Sequence, residues 1–209
     1  MSTTRDRLLD AGEQLFAEHG ASGVSAREIV RLSGVLNASA LQYHFGDREG
    51  LVQAVLDRHE SEVEVRRHAL LDAAASGGDP DLRGLVAALV LPLAAKLQDE
   101  SGRRYLRLAA ELVNRPGYRM GADDLPEGSS ILRWRARLDG MLDADAIRLH
   151  RRFVVVRFVS VELGRRAAED PAKDDALFVS QLIDLAVALL ACPLSAESSR
   201  HLVRSARRD

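Results

Sequence analysis

Aromatic residues make up only 4% of this 209-residue chain, with one tryptophan, Trp134. Leu, Ala, Val and Arg are abundant instead, a composition that suits helix packing. Cysteine occurs once, at Cys192, which excludes an intrachain disulfide and a cysteine-based metal cluster and makes a reducing cytoplasm the simpler location. No apolar run reaches the roughly 18 to 20 residues that a membrane span needs. Met1 to Arg7 is polar, and Leu8 to Phe16 is interrupted by Asp10 and Glu13, so no signal segment is expected there. The expectation is a soluble, cytoplasmic protein with no membrane partner.

An excess of positive charge is also missing. Lys and Arg number 29 against 31 Asp and Glu, a formal charge of −2, so no global basic field advertises a nucleic-acid partner. Within the first fifty residues Arg5, Arg7, Arg27, Arg31 and Arg48 face seven acids. Asp6, Asp10, Glu13 and Glu18 fall on one expected helix that can turn them away from a polyanion, leaving Arg27, Arg31 and Arg48 locally dominant.

Catalytic signatures are absent too. There is no glycine-rich phosphate loop, no histidine pair at metal spacing on one helix face and no Gly-x-Ser-x-Gly turn. His19, His44, His59, His68, His150 and His201 are scattered over different elements. Asp123-Asp124 and Asp174-Asp175 fit helix starts better than general acids. No catalytic residue, metal ligand or cofactor is expected, and the chain does not read as an enzyme.

What is present is a core-forming share of apolar residues, 46%, and one informative stretch, Val24 to Leu51. Ser25 and Glu28 have the spacing of a capping box, and Val24 and Ile29 that of a hydrophobic staple, so a helix begins at Ala26. Ser33-Gly34 ends it, since glycine reaches the left-handed conformation without steric cost. A second short helix is expected from about Asn37 to Phe45, with Leu41 and Phe45 inward at i and i+4. That phase leaves Ser39, Gln42 and Tyr43 outward with the small Ala40 between them, a surface of short or planar hydrogen-bonding groups suited to a major groove. Gly46-Asp47 then caps a helix starting at Arg48.

The order of Phe16, Gly20, Val24-Ser25, Arg27-Glu28-Ile29, Gly34-Val35, Leu41, Tyr43-His44-Phe45-Gly46 and Arg48-Glu49-Gly50-Leu51 resembles the N-terminal domain of TetR-family transcriptional regulators, over roughly the first fifty residues. The resemblance implies an all-α dimer of about nine helices per chain. A three-helix helix-turn-helix DNA-binding domain, residues 1–50, would precede a helical effector-binding and dimerisation domain, residues 51–209. Two departures from the family pattern stand out. Leu36-Asn37 lengthens the turn by one residue, and Gln42 replaces a frequent tyrosine with an amide able to bond bidentately to adenine.

Along the chain, Thr3 or Thr4 caps a first helix to about His19, with Leu8, Leu9, Gly12, Leu15 and Phe16 buried. Three helices of this size bury a small core with Ile29, Val30, Leu41 and Phe45, so the head should lean on the helices after it. A long helix from Arg48 to about Ala75 bridges to the rest, and Ser76 to Pro80 breaks it. Another is expected from Asp81 to Asp99, kinked at Pro92, and a third from Gly102 to Val113. The stretch from Asn114 to Gly128 reads as a long loop, a lid or entrance. A helix from Ser129 to Leu142 is followed by Asp143 as a cap. Helices over 144–168 and 174–191 are apolar around most of their circumference and need neighbours on nearly all sides. A partner subunit would cover what the chain itself does not, and the resemblance places a two-fold four-helix bundle there. The tail after Leu194, with Arg200, Arg204, Arg207 and Arg208, reads as a solvated short helix.

These readings combine into one functional expectation: a ligand-responsive transcriptional regulator, with repression favoured by the resemblance. It would bind a palindromic double-stranded DNA operator as a homodimer and be released by a small-molecule effector. The alternative is a helical small-molecule binding protein without DNA affinity. Arg27, Asn37, Ser39 and Gln42 are the candidates for base edges, and Ser25, Tyr43, His44 and Arg48 for the DNA backbone. Arg103, Tyr105, Tyr118, Met120, Trp134 and Phe153 are candidates for an effector pocket. Phe153, Val156, Phe158, Phe178, Leu182, Leu185 and Leu189 are expected at the dimer interface.

Overall fold

The computed structural model describes residues 3–37, 39–76, 81–115, 125–169 and 175–205. These residues form eleven α-helices, two short 3₁₀ turns and no strand. The all-helical expectation is met, with two more helices than the sequence suggested.

The head comprises α1 (Thr4–His19), α2 (Ala26–Ser33) and α3 (Ala40–Phe45). Its caps are local and legible. Thr3 Oγ1 accepts from the Asp6 N–H while Asp6 accepts from the Thr3 N–H, a complete capping box, and Ser25 and Glu28 form a second one. Gly34 ends α2 at φ +65°, a left-handed conformation that costs an L side chain but not glycine. Leu8, Phe16, Ile29 and Leu41 are buried together, with Leu15, Val30 and Phe45 packed on them. This core is closed from outside the head: Leu51 and Val55 of α4 (Arg48–Ser76) and Leu108 and Leu112 of α6 (Glu100–Leu112) complete the same cluster. The head therefore leans on the body through two helices, one adjacent in sequence and one distant.

The body holds α5 (Leu82–Ala94), α6, α7 (Ser130–Asp139), α8 (Ala144–Arg148), α9 (Arg151–Ala167), α10 (Asp175–Ala191) and α11 (Ala196–Ser205). Asp81, Asp99 and Asp143 cap α5, α6 and α8, each side chain accepting a backbone N–H three residues on. Pro92 lies inside α5, and the chain tightens into a 3₁₀ turn over Ala95–Gln98 before α6. Proline lacks the N–H that the helix ladder needs there. Gly164 lets α9 approach α6: a Cβ on it would sit 2.3 Å from the Ala110 Cβ. The body core runs through Leu71, Leu89, Trp134, Leu138, Val155, Val159, Leu163, Leu182 and Leu190.

One expected helix of the body is broken. The expected single helix over 144–168 is two, α8 and α9, broken at Leu149-His150. His150 takes a positive φ of 54°, and its carbonyl accepts from the N–H groups of Phe153 and Val154 to start α9. Neither glycine nor proline marks the break. The loop expected from Asn114 to Gly128 falls largely outside the described residues, which resume at Leu125. Among the described residues, no single helix is long and apolar enough to cross a membrane.

Candidate nucleic-acid interface

Helix α3 begins later than expected. Asn37 precedes it and closes a turn: its Oδ1 accepts from the Ser39 N–H at 3.0 Å and from the Ser39 hydroxyl at 2.7 Å. Asparagine favours this turn because its side chain imitates a backbone carbonyl. Gln42 and Tyr43 are exposed, the latter at 85%, so these two face outward as expected. Ala40 does not lie between them. It is 6% exposed, inside the head core beside Leu41, because the buried arc of α3 extends to the Ala40 and His44 side rather than centring on Leu41 and Phe45.

Of the expected contact residues, Asn37, Tyr43 and His44 meet at one cleft of about 460 Å³, beside Arg7 of α1 and Leu36 of the turn. Tyr43 and His44 pack edge to face, 5.0 Å between ring centroids. Ser39 joins them through its bonds to Asn37. Arg27 is exposed on α2. Ser25 is tied into its capping box, its hydroxyl donating to Glu28 Oε2 at 2.7 Å, and these bonds hold the Glu28 carboxyl below the usual glutamate range.

Arg48, expected at the DNA backbone, makes contacts within the chain. Its Nη1 donates to the carbonyls of Ser22 and Val24 at 3.3 and 3.4 Å, and it pairs with Glu49. The guanidinium thus clasps the turn before α2. Glu13, one of the α1 acids expected to be turned away from a polyanion, is buried at 3% exposed. Ser101 Oγ of α6 donates to it at 2.5 Å, Arg58 Nη1 of α4 at 3.2 Å, and His59 Nε2 of α4 lies 3.3 Å away. Burial pushes the Glu13 carboxyl up, but the bonds from His59 and Ser101 and the neighbouring positive charge outweigh it, and the group ends below its ordinary range.

Head and body meet again at the far end of α6. Glu111 Oε2 accepts from the Ala21 N–H at 2.8 Å, and Arg115 donates to Glu111 Oε1 at 2.7 Å and to Ser22 Oγ at 3.0 Å. Sequence reasoning had no signal for these contacts, whose partners lie about ninety residues apart.

The described residues among the expected pocket residues each have their own contacts. Trp134 is fully buried with Nε1 donating to the Leu85 carbonyl at 2.8 Å. Tyr105 is buried and stacks on His59, 4.8 Å between centroids. Arg103, also buried, donates to the carbonyls of Leu97, Arg166, Ala167 and Glu169 at 2.9 to 3.4 Å, tying the turn before α6 to the C-terminal end of α9. Phe153 is half-buried under Arg157, whose guanidinium carbon lies 4.9 Å from the ring centroid. Tyr118 and Met120 lie outside the described residues.

The expected dimer residues divide. Leu182 belongs to the chain's own core at 2% exposed, while Val156, Phe158 and Phe178 are half-buried against it. Leu185 and Leu189 are 47% and 37% exposed. Leu177 of α10 at 76% and Val154 of α9 at 48% are exposed as well and were not among the expected residues.

Residues 8–55 match the model of the family described as "Bacterial regulatory proteins, tetR family". The HTH-type transcriptional repressor ComR of Escherichia coli (strain K12) is 36% identical over 67 residues, 32% of this chain and 31% of that relative; the match therefore spans 31% of the curated relative's length. Among solved structures, "Probable transcriptional regulatory protein RHA5900" aligns over 90% of this chain and 100% of its own at 22% identity and a TM-score of 0.56, a likeness of fold. The fatty acid degradation regulator FadR from Bacillus halodurans aligns over 90% and 99% at 18% identity, with a TM-score of 0.47. The head of this chain, residues 8–55, is thus similar to the tetR family of bacterial regulatory proteins, and the likeness over the remainder is one of fold.

Proposed function

We propose that the chain is a transcriptional repressor that binds a palindromic DNA operator as a homodimer and is released by a small-molecule effector bound in the body. The observation that carries this reading is the outward face of α3. Ser39, Gln42 and Tyr43 present hydrogen-bonding groups at and on a short helix, held by α2 and α4, whose own bulky aliphatic residue, Leu41, is buried in the core behind it. Such a helix fits a major groove, where an amide pairs with adenine and hydroxyls accept or donate at base edges. Arg27 supplies a cation beside it. The repressor named among the relatives supports the direction of control.

Two-fold symmetry follows from the uncovered leucines of α10, which a second copy of the chain would bury. Paired heads must stand about 34 to 36 Å apart, or a little more, to enter successive major grooves, so the operator is a palindrome. Release follows from the head's attachments. The α1 helix is bound to α4 and α6 through Glu13, and the turn after it to α6 through Glu111. An effector that favours a different placement of α4 or α6 moves the heads out of register. Full switching needs about a 10⁴-fold difference in effector affinity between the two states.

The test is selection of bound sequences from random duplexes with the full chain, followed by titration of Arg27→Ala and Gln42→Ala on the enriched site. Each substitution is expected to weaken binding by about 1 to 3 kcal/mol, and wild-type affinity should fall steeply with salt as phosphate counterions are released. Enrichment of no sequence, with binding indifferent to salt, would favour a helical small-molecule binding protein without DNA affinity.

A further inference from the structure

Leu36 is fully exposed, at 103% of its reference area, the most exposed of the large hydrophobic residues. That exposure is imposed by the chain on either side of it. Before it, Gly34 donates to the Arg31 carbonyl at 3.3 Å, and Val35 donates to Ser33 Oγ and is buried at 8% in the head core. After it, Asn37 closes its turn on Ser39, and the Asn37 carbonyl accepts from the Ala40 N–H at 3.1 Å. Leu36 is therefore held between an anchored apolar residue and a hydrogen-bonded turn, with its side chain directed outward.

The direction is shared with the recognition surface. Leu36 lines the same cleft as Asn37, Tyr43 and His44, so whatever approaches those polar groups also meets this isobutyl group. A single leucine among hydrogen-bonding side chains is far too small for a stable protein partner, whose interface clears about 1,000 Å². The major groove offers an apolar target of matching size, the 5-methyl group of thymine, next to the O4 acceptor and across from the adenine edge that an amide reads.

We propose that Leu36 is a specificity-determining residue that packs against a thymine 5-methyl group in each operator half-site, an assignment that rests on the DNA-binding reading above. The longer turn between α2 and α3 is then a reading element: it places an apolar contact ahead of α3 while Asn37 and Ser39 keep the polar register.

The test uses the full chain on a selected operator in which symmetry-related thymines are replaced, one pair at a time, by deoxyuridine, which lacks only the methyl group. Wild type should lose roughly three- to tenfold in affinity at one pair, the scale of losing an apolar contact of about one methyl group. Leu36→Ala should bind the unmodified operator more weakly by a similar factor and be indifferent to deoxyuridine at that pair. Its thermal midpoint should equal that of wild type, since the side chain packs on nothing. Three results would overturn the assignment while leaving DNA binding intact: Leu36→Ala binding like wild type, wild type losing affinity at no thymine pair, or Leu36→Ala weakened on every duplex yet still losing affinity at the same thymine pair as wild type, which marks a sugar contact instead. A wild-type chain that enriches no duplex at all overturns the DNA-binding reading and this assignment together.

Discussion

The outward faces of α3 and α10 are both left uncovered by the rest of the chain, yet they are opposite in chemistry. On α3 the exposed groups are an amide and a phenol, which water satisfies, so the face is stable alone and can exchange water for base edges at little cost. On α10 the exposed groups include Leu177, Leu185 and Leu189, which water does not satisfy, so that face gains free energy from any apolar cover, by roughly 25 cal/mol per Å² removed from water. The first surface is built for a reversible partner and the second for a lasting one. In the proposed function, one chain links the two surfaces, so that a dimer joined at α10 would present two copies of α3 to one duplex.

The strongest way to break that comparison is to make the α10 face as polar as the α3 face. In Leu177→Asp/Leu185→Asp, two carboxylates replace exposed leucines while the buried Leu182 and Leu190 remain in place. The variant is expected to keep its helical content, to sediment as a monomer, and to bind the operator about 10² to 10⁴-fold more weakly, because the second head loses its effective concentration at the half-site. A double variant that still sediments as a dimer would place the interface elsewhere.

The next largest effect concerns the joint between the two regions. Glu13 is a buried acceptor shared by Ser101, Arg58 and His59, and Glu13→Gln removes its charge and turns an amide donor toward groups that need acceptors. A loss of about 2 to 3 kcal/mol is expected, allowing for the partly exposed Arg58, read as a fall in thermal midpoint of about 4 to 12 °C. The pH dependence has a definite sign. The Glu13 carboxyl sits below its ordinary value of 4.5 in the folded chain, so the unfolded chain binds the proton more readily. The stability it contributes is present above about 4.5 and is lost as pH falls through the lower folded value. Between pH 7 and 3 the wild type should therefore lose more stability than Glu13→Gln, and parallel losses in the two would show that the carboxylate does not hold the joint.

Much of the head was legible in the sequence because its determinants are local. Thr3, Ser25 and Asp47 each bind a backbone N–H three residues on, and a pattern of that reach can be read from the sequence. The body resisted where the partner is remote or the signal is conformational. Arg103 reads in the sequence as a candidate pocket cation, yet it is buried against carbonyls at and just past the end of α9, some sixty residues away. Glu13 followed the charge pattern of α1 but faces α4 and α6, a choice made by tertiary contacts. The break at His150 carries no glycine or proline. At α3, starting the helix at Asn37 hid the turn that exposes Leu36, since helical phase says nothing about residues that are not helical.

The smallest expected effect separates a cap from a contact. Ser25 stands where the DNA backbone would pass, but its hydroxyl already donates to Glu28 Oε2 and accepts from the Glu28 N–H at 3.3 Å. A hydroxyl occupied in both directions has little left for a phosphate. Ser25→Ala is therefore expected to lower stability by about 1 kcal/mol, the usual cost of losing an N-cap, while leaving operator affinity within about twofold once the folded fraction is taken into account. Ser25→Thr keeps the oxygen and should retain the cap, recovering most of the stability. An affinity loss in Ser25→Ala of tenfold or more, with the thermal midpoint unchanged, would reverse the assignment, because a residue that binds phosphate must show in the titration and a residue that only starts a helix must show in the melt.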